Sequence, residues 1–172
     1  MIDLKKFIRG VKDFPIKGIY FYDITTLLKN SQAFHSAVDA MAAHYRGRKI
    51  DYIACIESRG FIFGAALAYK LKTGMVVIRK KGKLPAKKLS VRYKLEYGFD
   101  SIEVHEDAVI KNKNYLILDD LLATGGTSLA AYQLLKKKNA KVMGFAFLIE
   151  LVELNGRKKL PAGPELFTML KY

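Results

Sequence analysis

Residues 115–127 read YLILDDLLATGGT: a run of buried-strand residues, two adjacent carboxylates (Asp119 and Asp120), a short apolar spacer, then a Thr-Gly-Gly-Thr turn. Gly125 and Gly126 have no Cβ, so the backbone N–H groups here can approach an anion closely. A helix opening at the turn adds partial positive charge, and Thr124 and Thr127 add hydroxyl donors, which together suit a phosphate. Asp119 and Asp120 would repel a phosphate aimed at them. They suit the hydroxyls of a ribose, or a magnesium ion held through water. A phosphorylated sugar satisfies the whole loop, while a tight strand-to-helix turn with an aspartate cap is the plainer alternative. A second polar break, Glu57-Ser58-Arg59-Gly60, also leaves an apolar run, and Arg59 can offer a guanidinium fork to phosphate oxygens or simply start a helix at the surface. Two rival motifs lack support. Gly82-Lys83 is followed by Leu84, so there is no P-loop, and no G-x-G-x-x-G follows a strand.

These residues need elements to place them. Apolar 52–56, a helical stretch over 61–71 and a strand over 75–79 form a βαβ unit. The unit recurs as strand 115–118, loop 119–127, helix 128–138 and strand 141–150, which implies a mostly parallel sheet with helices on its faces. In such α/β sheets ligands bind beyond the carboxyl ends of the strands, so both polar breaks should face one crevice. Residues 91–97 and 101–105 alternate around Gly98 and predict an antiparallel hairpin, the least core-like piece of the chain. Leu4, Phe7, Ile8 and Val11 behind Asp3 predict an amphipathic helix. Phe34, Val38, Met41, Ala42 and Tyr45 predict another behind Asn30 and Ser31, and 16–28 reads as short strands or loops.

The chain has 172 residues, a size that predicts a single domain over 1–172, and its 51% apolar content supports a real core. No apolar run approaches the ~20 residues of a membrane span, and the N-terminus lacks a signal-peptide stretch, so the expected location is cytoplasmic. One cysteine, Cys55, and scattered His35, His44 and His105 argue against a disulfide or a zinc cluster. Thirty basic against 16 acidic residues give +14, which suits either a polyanionic small molecule or nucleic acid, or a solvated basic surface.

The loop 119–127 resembles the sugar-diphosphate motif of type I phosphoribosyltransferases. ESRGFIFGAALAYKL from Glu57, RKKGKLP from Arg79, LEYG from Leu95 and the C-terminal IELVELNGRKKL narrow the resemblance to the adenine phosphoribosyltransferase family over nearly the whole chain. It implies the type I phosphoribosyltransferase fold, an α/β fold with a small N-terminal hood near 14–28 and a β-hairpin lid near 80–106. The implied reaction moves phosphoribose from 5-phosphoribosyl 1-diphosphate (PRPP) to N9 of adenine, giving AMP and pyrophosphate in purine salvage. The implied cofactor is Mg2+, held mainly through PRPP, with no certain direct protein ligand. By the same resemblance Asp119 and Asp120 bind ribose hydroxyls, and Ala123, Thr124, Gly125, Gly126 and Thr127 cradle the 5′-phosphate. Glu57, Ser58 and Arg59 form the diphosphate loop, and Arg79, Lys80 and Lys83 neutralise the leaving group. Arg59 and Glu96 are the implied catalytic residues, with Glu96 as general acid/base and Tyr97 beside it on the lid.

Adenine falls by resemblance to Tyr20 and Tyr22 of the hood, whose rings can sandwich a purine, and to Leu151 as an apolar wall. Many relatives carry Arg where Tyr22 stands, which shifts recognition there toward backbone groups, and Ala86 replaces a glycine common after GKLP. A homodimer is also implied. No membrane association and no specific nucleic acid are expected, because 13 residues before Phe14 are too short for an added DNA-binding domain.

Overall fold

A computed structural model describes residues 2–94 and 98–172, so Glu96 and Tyr97 lie outside the described residues. Chain contacts divide the molecule into two units, 1–44 and 45–172. In the first, strands β1 (Arg9–Lys12) and β2 (Tyr20–Asp23) pair antiparallel, with Val11 opposite Phe21. The helix expected from Leu4 to Val11 does not form. Asp3 caps only a single 3-10 turn, Leu4–Phe7, and Val11 is taken by the hairpin instead. Arg9 Nε bonds Asp23 at 2.9 Å. Asp23 also accepts the Thr25 N–H, and these bonds, the backbone one first, hold its carboxyl down at about 2. The end of the expected strand-or-loop region is a short helix, α1 (Thr25–Lys29). Helix α2 (Ser31–Tyr45) follows as the sequence predicts, with Asn30 Oδ1 accepting the Ala33 N–H at 2.9 Å.

The second unit is built on a seven-stranded sheet in which β5 (Lys88–Lys94) and β6 (Phe99–His105) are followed in order by β4 (Gly74–Lys80), β3 (Tyr52–Ile56), β7 (Asn114–Leu122), β8 (Lys141–Glu150) and β9 (Glu165–Lys171). Strands β3, β4, β7, β8 and β9 run parallel. Helix α3 (Gly60–Leu71) crosses from β3 to β4, and α4 (Gly126–Lys136) crosses from β7 to β8. Ile117, Phe145 and Phe147 from the strands meet Ala131, Leu134 and Leu135 of α4 in a dry core. Because both faces of these strands are covered, they read in sequence as unbroken apolar runs. Cys55 is one of these buried residues. A Cβ on Gly64 of α3 would stand 2.0 Å from its sulfur, and burial pushes the thiol up to about 12, so it packs as an apolar residue.

Two further sequence expectations change. The carboxylates do not open a loop: β7 runs on to Leu122 because β8 keeps pairing it, with Asp119 opposite Phe147 and Leu122 opposite Glu150. The hairpin of β5 and β6 forms, but it is not peripheral. Its strand β6 joins the main sheet through Arg79 opposite Glu103, and Ile102 and Val104 are core residues. Strand β9 goes unanticipated. Among the described residues no helix is long and apolar enough to cross a membrane.

Candidate active site

The two polar breaks meet because Gly60 has no side chain. A Cβ there would stand 2.9 Å from Asp119 Oδ1 and 3.0 Å from the Leu118 carbonyl, so only glycine lets α3 start directly against the end of β7. The close approach opens a cavity of about 480 Å³ lined by Glu57, Ser58, Arg59, Lys80, Asp119, Asp120 and Leu121. Six of these seven are residues that the sequence assigns to the site.

Within the cavity charge is arranged in pairs. Arg59 Nε stands 2.8 Å from Asp120 Oδ2, and the Asp120 N–H bonds Asp119 Oδ1 at 2.9 Å. Burial raises the Asp119 carboxyl well above the usual range and the neighbouring Asp120 raises it further. Burial also raises Asp120, against the opposing pull of the Arg59 guanidinium. Glu57, grouped by the resemblance with the diphosphate loop, directs its carboxylate to the basic run. Its Oε2 accepts from Arg79 Nε at 3.0 Å and the Lys80 N–H at 2.8 Å, and Lys83 Nζ lies 3.8 Å from Oε1. The Arg79 bond is the main reason that the Glu57 carboxyl sits below its ordinary value. The peptide between Glu57 and Ser58 is cis.

The Thr-Gly-Gly-Thr turn follows directly. Gly125 adopts φ 77°, a left-handed conformation that side-chain-bearing residues rarely take, and it turns the chain from β7 into α4. The first turn of a helix has N–H groups with no intrahelical partner, so at this point they can serve an anion. Thr124 is exposed, whereas Thr127 donates its hydroxyl to Tyr93 Oη at 3.3 Å. Tyr93 Oη in turn lies 3.4 Å from Asp100 Oδ2, which faces Lys80 Nζ at 3.7 Å. Tyr93 and Asp100 thus connect the Thr-Gly-Gly-Thr turn to the basic run. Neither residue carries a motif that marks it in the sequence, although Tyr93 sits on the inward phase of the β5 alternation, where it packs against the core.

The residues assigned to the base lie elsewhere in the chain. On β2, Tyr20 and Tyr22 share a face, with ring centroids 5.1 Å apart and an edge-to-face angle of 62°. Tyr20 lies over Gly10 of β1, where a Cβ would meet its Oη at 1.8 Å. Leu151 caps the end of β8 and donates its N–H to the Leu122 carbonyl at 2.9 Å.

Residues 24–163 match the family described as the phosphoribosyl transferase domain. The adenine phosphoribosyltransferase of Brachyspira hyodysenteriae is 54% identical over 163 residues, covering 95% of this chain and 96% of that protein. The chain belongs to the adenine phosphoribosyltransferase family. The crystal structure of the family member from Thermoanaerobacter pseudethanolicus superposes with a TM-score of 0.95 at 49% identity, covering 98% of each chain. The Saccharomyces cerevisiae enzyme, solved with adenine and an imino-altritol bisphosphate, matches with a TM-score of 0.92 at 38% identity, covering 97% of this chain and 96% of that one. Membership accounts for the whole α/β frame, from the parallel strands to the turn at Gly125.

Proposed function

We propose that the cavity between β3 and β7 binds PRPP and that the chain transfers its phosphoribosyl group to N9 of adenine, giving AMP and pyrophosphate. The observation that carries this reading is the meeting of Arg59, Lys80, Asp119 and Asp120 in one cavity at the end of β7, from which the turn at Gly125 leads into a helix N-terminus. The 5′-phosphate takes the amides and hydroxyls of 123–127, and the ribose hydroxyls donate to Asp119 and Asp120. The diphosphate meets Ser58, Arg59, Arg79, Lys80 and Lys83, with Glu57 holding the Arg79 and Lys83 cations and Asp100 facing the Lys80 ammonium. Tyr20, Tyr22 and Leu151 receive the base.

N9 attacks C1′ as the C1′–O bond to the diphosphate breaks, so positive charge grows on the ribose ring and negative charge on pyrophosphate. The N9 proton must leave. Glu96 is the residue that we assign to accept it, with Tyr97 covering the site against water. The cations gathered by Glu57 are aimed at the charge that develops on the leaving group. Magnesium fits the carboxylates at this site, since Asp119 and Asp120 offer hard oxygen donors whose ionisation burial disfavours and a cation would favour. Among the described residues no three His, Cys, Asp or Glu side chains converge into a cage. Such an ion would therefore be held mainly by PRPP, with Asp119 or Asp120 reached through water, and when bound it neutralises charge on the diphosphate.

We assign the enzyme to the cytoplasm as a homodimer, a reading that the family resemblance carries. In its favour, α3 presents Tyr69 (86% exposed) and Ile62 two turns apart on one face. Sedimentation of the wild type and of Tyr69→Glu checks the assembly: a dimer converted to monomer is expected, and a monomeric wild type rejects it.

The activity is tested by absorbance with PRPP, magnesium and, in separate cuvettes, adenine, hypoxanthine, guanine and xanthine. AMP formation from adenine alone is expected. Turnover of another base in its place would move the base assignment, and no turnover with any base would reject the reading.

A further inference from the structure

The phosphate turn is braced from behind by a segment that no sugar-phosphate role explains. After β8, Leu151 leads into two successive 3-10 turns, Val152–Leu154 and Gly156–Lys159, separated by Asn155 in the left-handed region at φ 52°. Asparagine is among the few side-chain-bearing residues that tolerate this conformation. The reversal presses Gly156 against the phosphate turn, backbone to backbone. A Cβ on Gly125 would stand 2.4 Å from the Gly156 carbonyl, and one on Gly156 would stand 2.1 Å from the Ala123 carbonyl. Neither position has room for a methyl group unless main chain moves.

The next residue fixes that segment to the sheet. Arg157 grips Glu150 with a two-pronged fork, Nε to Oε1 at 2.9 Å and Nη2 to Oε2 at 2.7 Å. Thr168 Oγ1 of β9 adds a third bond, to Glu150 Oε2 at 2.8 Å. Glu150 is only 4% exposed, at the end of the strand that pairs β7 through Leu122. A carboxylate this buried persists when its charge is matched and its oxygens are bonded, and a bidentate guanidinium does both with fixed geometry. The fork therefore anchors a loop that otherwise has little apolar surface to hold it: Val152, Glu153, Leu154, Asn155, Arg157, Lys158 and Lys159 are all exposed.

We propose that Glu150, Arg157 and Gly156 act as a latch that sets the shape of the 5′-phosphate turn, with Arg157 as a positioning residue that touches no substrate. The inference rests on the reading of 123–127 as the phosphate cradle. Backbone amides recognise a phosphate only if they already converge when it arrives, and small misplacements of such groups are amplified in binding and rate. Loosening the latch should therefore weaken ligands that carry a 5′-phosphate and spare those that do not.

The test is calorimetric titration of the full chain with ribose 5-phosphate, ribose and pyrophosphate, for the wild type, Arg157→Lys and Gly156→Ala. Arg157→Lys keeps the charge beside Glu150 but loses the fork, whereas Gly156→Ala keeps the fork and pushes on the Ala123 carbonyl. Both variants should weaken ribose 5-phosphate about tenfold or more and leave pyrophosphate within about twofold. In steady state, KM for PRPP should rise more than kcat falls. Equal weakening of ribose 5-phosphate and pyrophosphate would indicate general loosening and overturn the latch. So would unchanged binding in Arg157→Lys. A wild type that binds ribose 5-phosphate no better than ribose would overturn the cradle reading itself, and the latch with it.

Discussion

Asp119 and Asp120 work against the stability of the fold that presents them. Burial raises both carboxyls, and each is an acid whose folded value lies above its unfolded one. The folded state therefore holds these protons more tightly than the unfolded chain. The resulting stabilisation is present in acid and is lost as pH climbs from the unfolded value, about 4, through the raised folded values. At neutral pH the pair is a net liability that the Arg59 ion pair only partly offsets. On the proposed function, ribose hydroxyls or a cation would relieve it on binding. Asp119→Asn keeps the oxygen that accepts the Asp120 N–H and removes one buried charge. We expect it to raise stability at pH 7 by about 1 kcal/mol, or about 2–4 °C in Tm for a chain of this size, while weakening PRPP. The Tm gain should shrink as pH is lowered toward 4. A lower Tm at pH 7, measured by thermal unfolding, would mean that the charge is stabilising and that this account is wrong.

At the scale of elements, the β5–β6 hairpin combines a core strand with a site-facing one. The Tyr93 hydroxyl ties it to the Thr-Gly-Gly-Thr turn through Thr127 and to its own strand β6 through Asp100, and the Lys94 carbonyl would lie 3.4 Å from a Cβ on Gly126. Tyr93→Phe removes both bonds and keeps the ring that packs on the core. Each such bond contributes about 0.5–1.5 kcal/mol, so amides of 88–94 and 99–101 should exchange faster, while those of β3 and β7 keep their protection. Unchanged exchange in the hairpin would show that the hydroxyl does not dock it. Sequence made part of this visible and hid the rest for identifiable reasons. The βαβ units, α2 and the cavity residues at 57–59 and 119–120 are legible because buried parallel strands and strand-end glycines leave local marks. At the start of the chain the spacing misleads, because Leu4, Phe7 and Val11 fit a helical period that a distant strand, β2, overrides. Strand β9 and the end of β7 are fixed by pairing with β8, and the roles of Gly156, Arg157 and Tyr93 by neighbours far along the chain. Spacing reports none of these.

Over the whole molecule the surplus of cations matters more than any single ion pair. Acidic side chains are already shared, as when Glu106 takes Lys138 at 2.9 Å and Lys87 at 3.0 Å, and 30 basic residues outnumber 16 acidic ones. Like charges crowded on a folded surface repel one another, and an expanded chain relieves that repulsion. On the proposed function the same field would attract a multiply charged sugar diphosphate toward the cavity. Salt must then act in opposite directions on the two properties. Raising ionic strength from about 0.01 M to about 0.1 M shortens the screening length from about 30 Å to about 10 Å. Over that range Tm should rise by a few degrees and the association rate of PRPP should fall severalfold, both readable on one preparation by thermal unfolding and stopped flow. A Tm that falls with salt would mean that surface ion pairs outweigh net repulsion. A PRPP association rate insensitive to salt would confine the useful charge to the few cations that Glu57 gathers and leave the rest of the +14 without a part in capturing substrate.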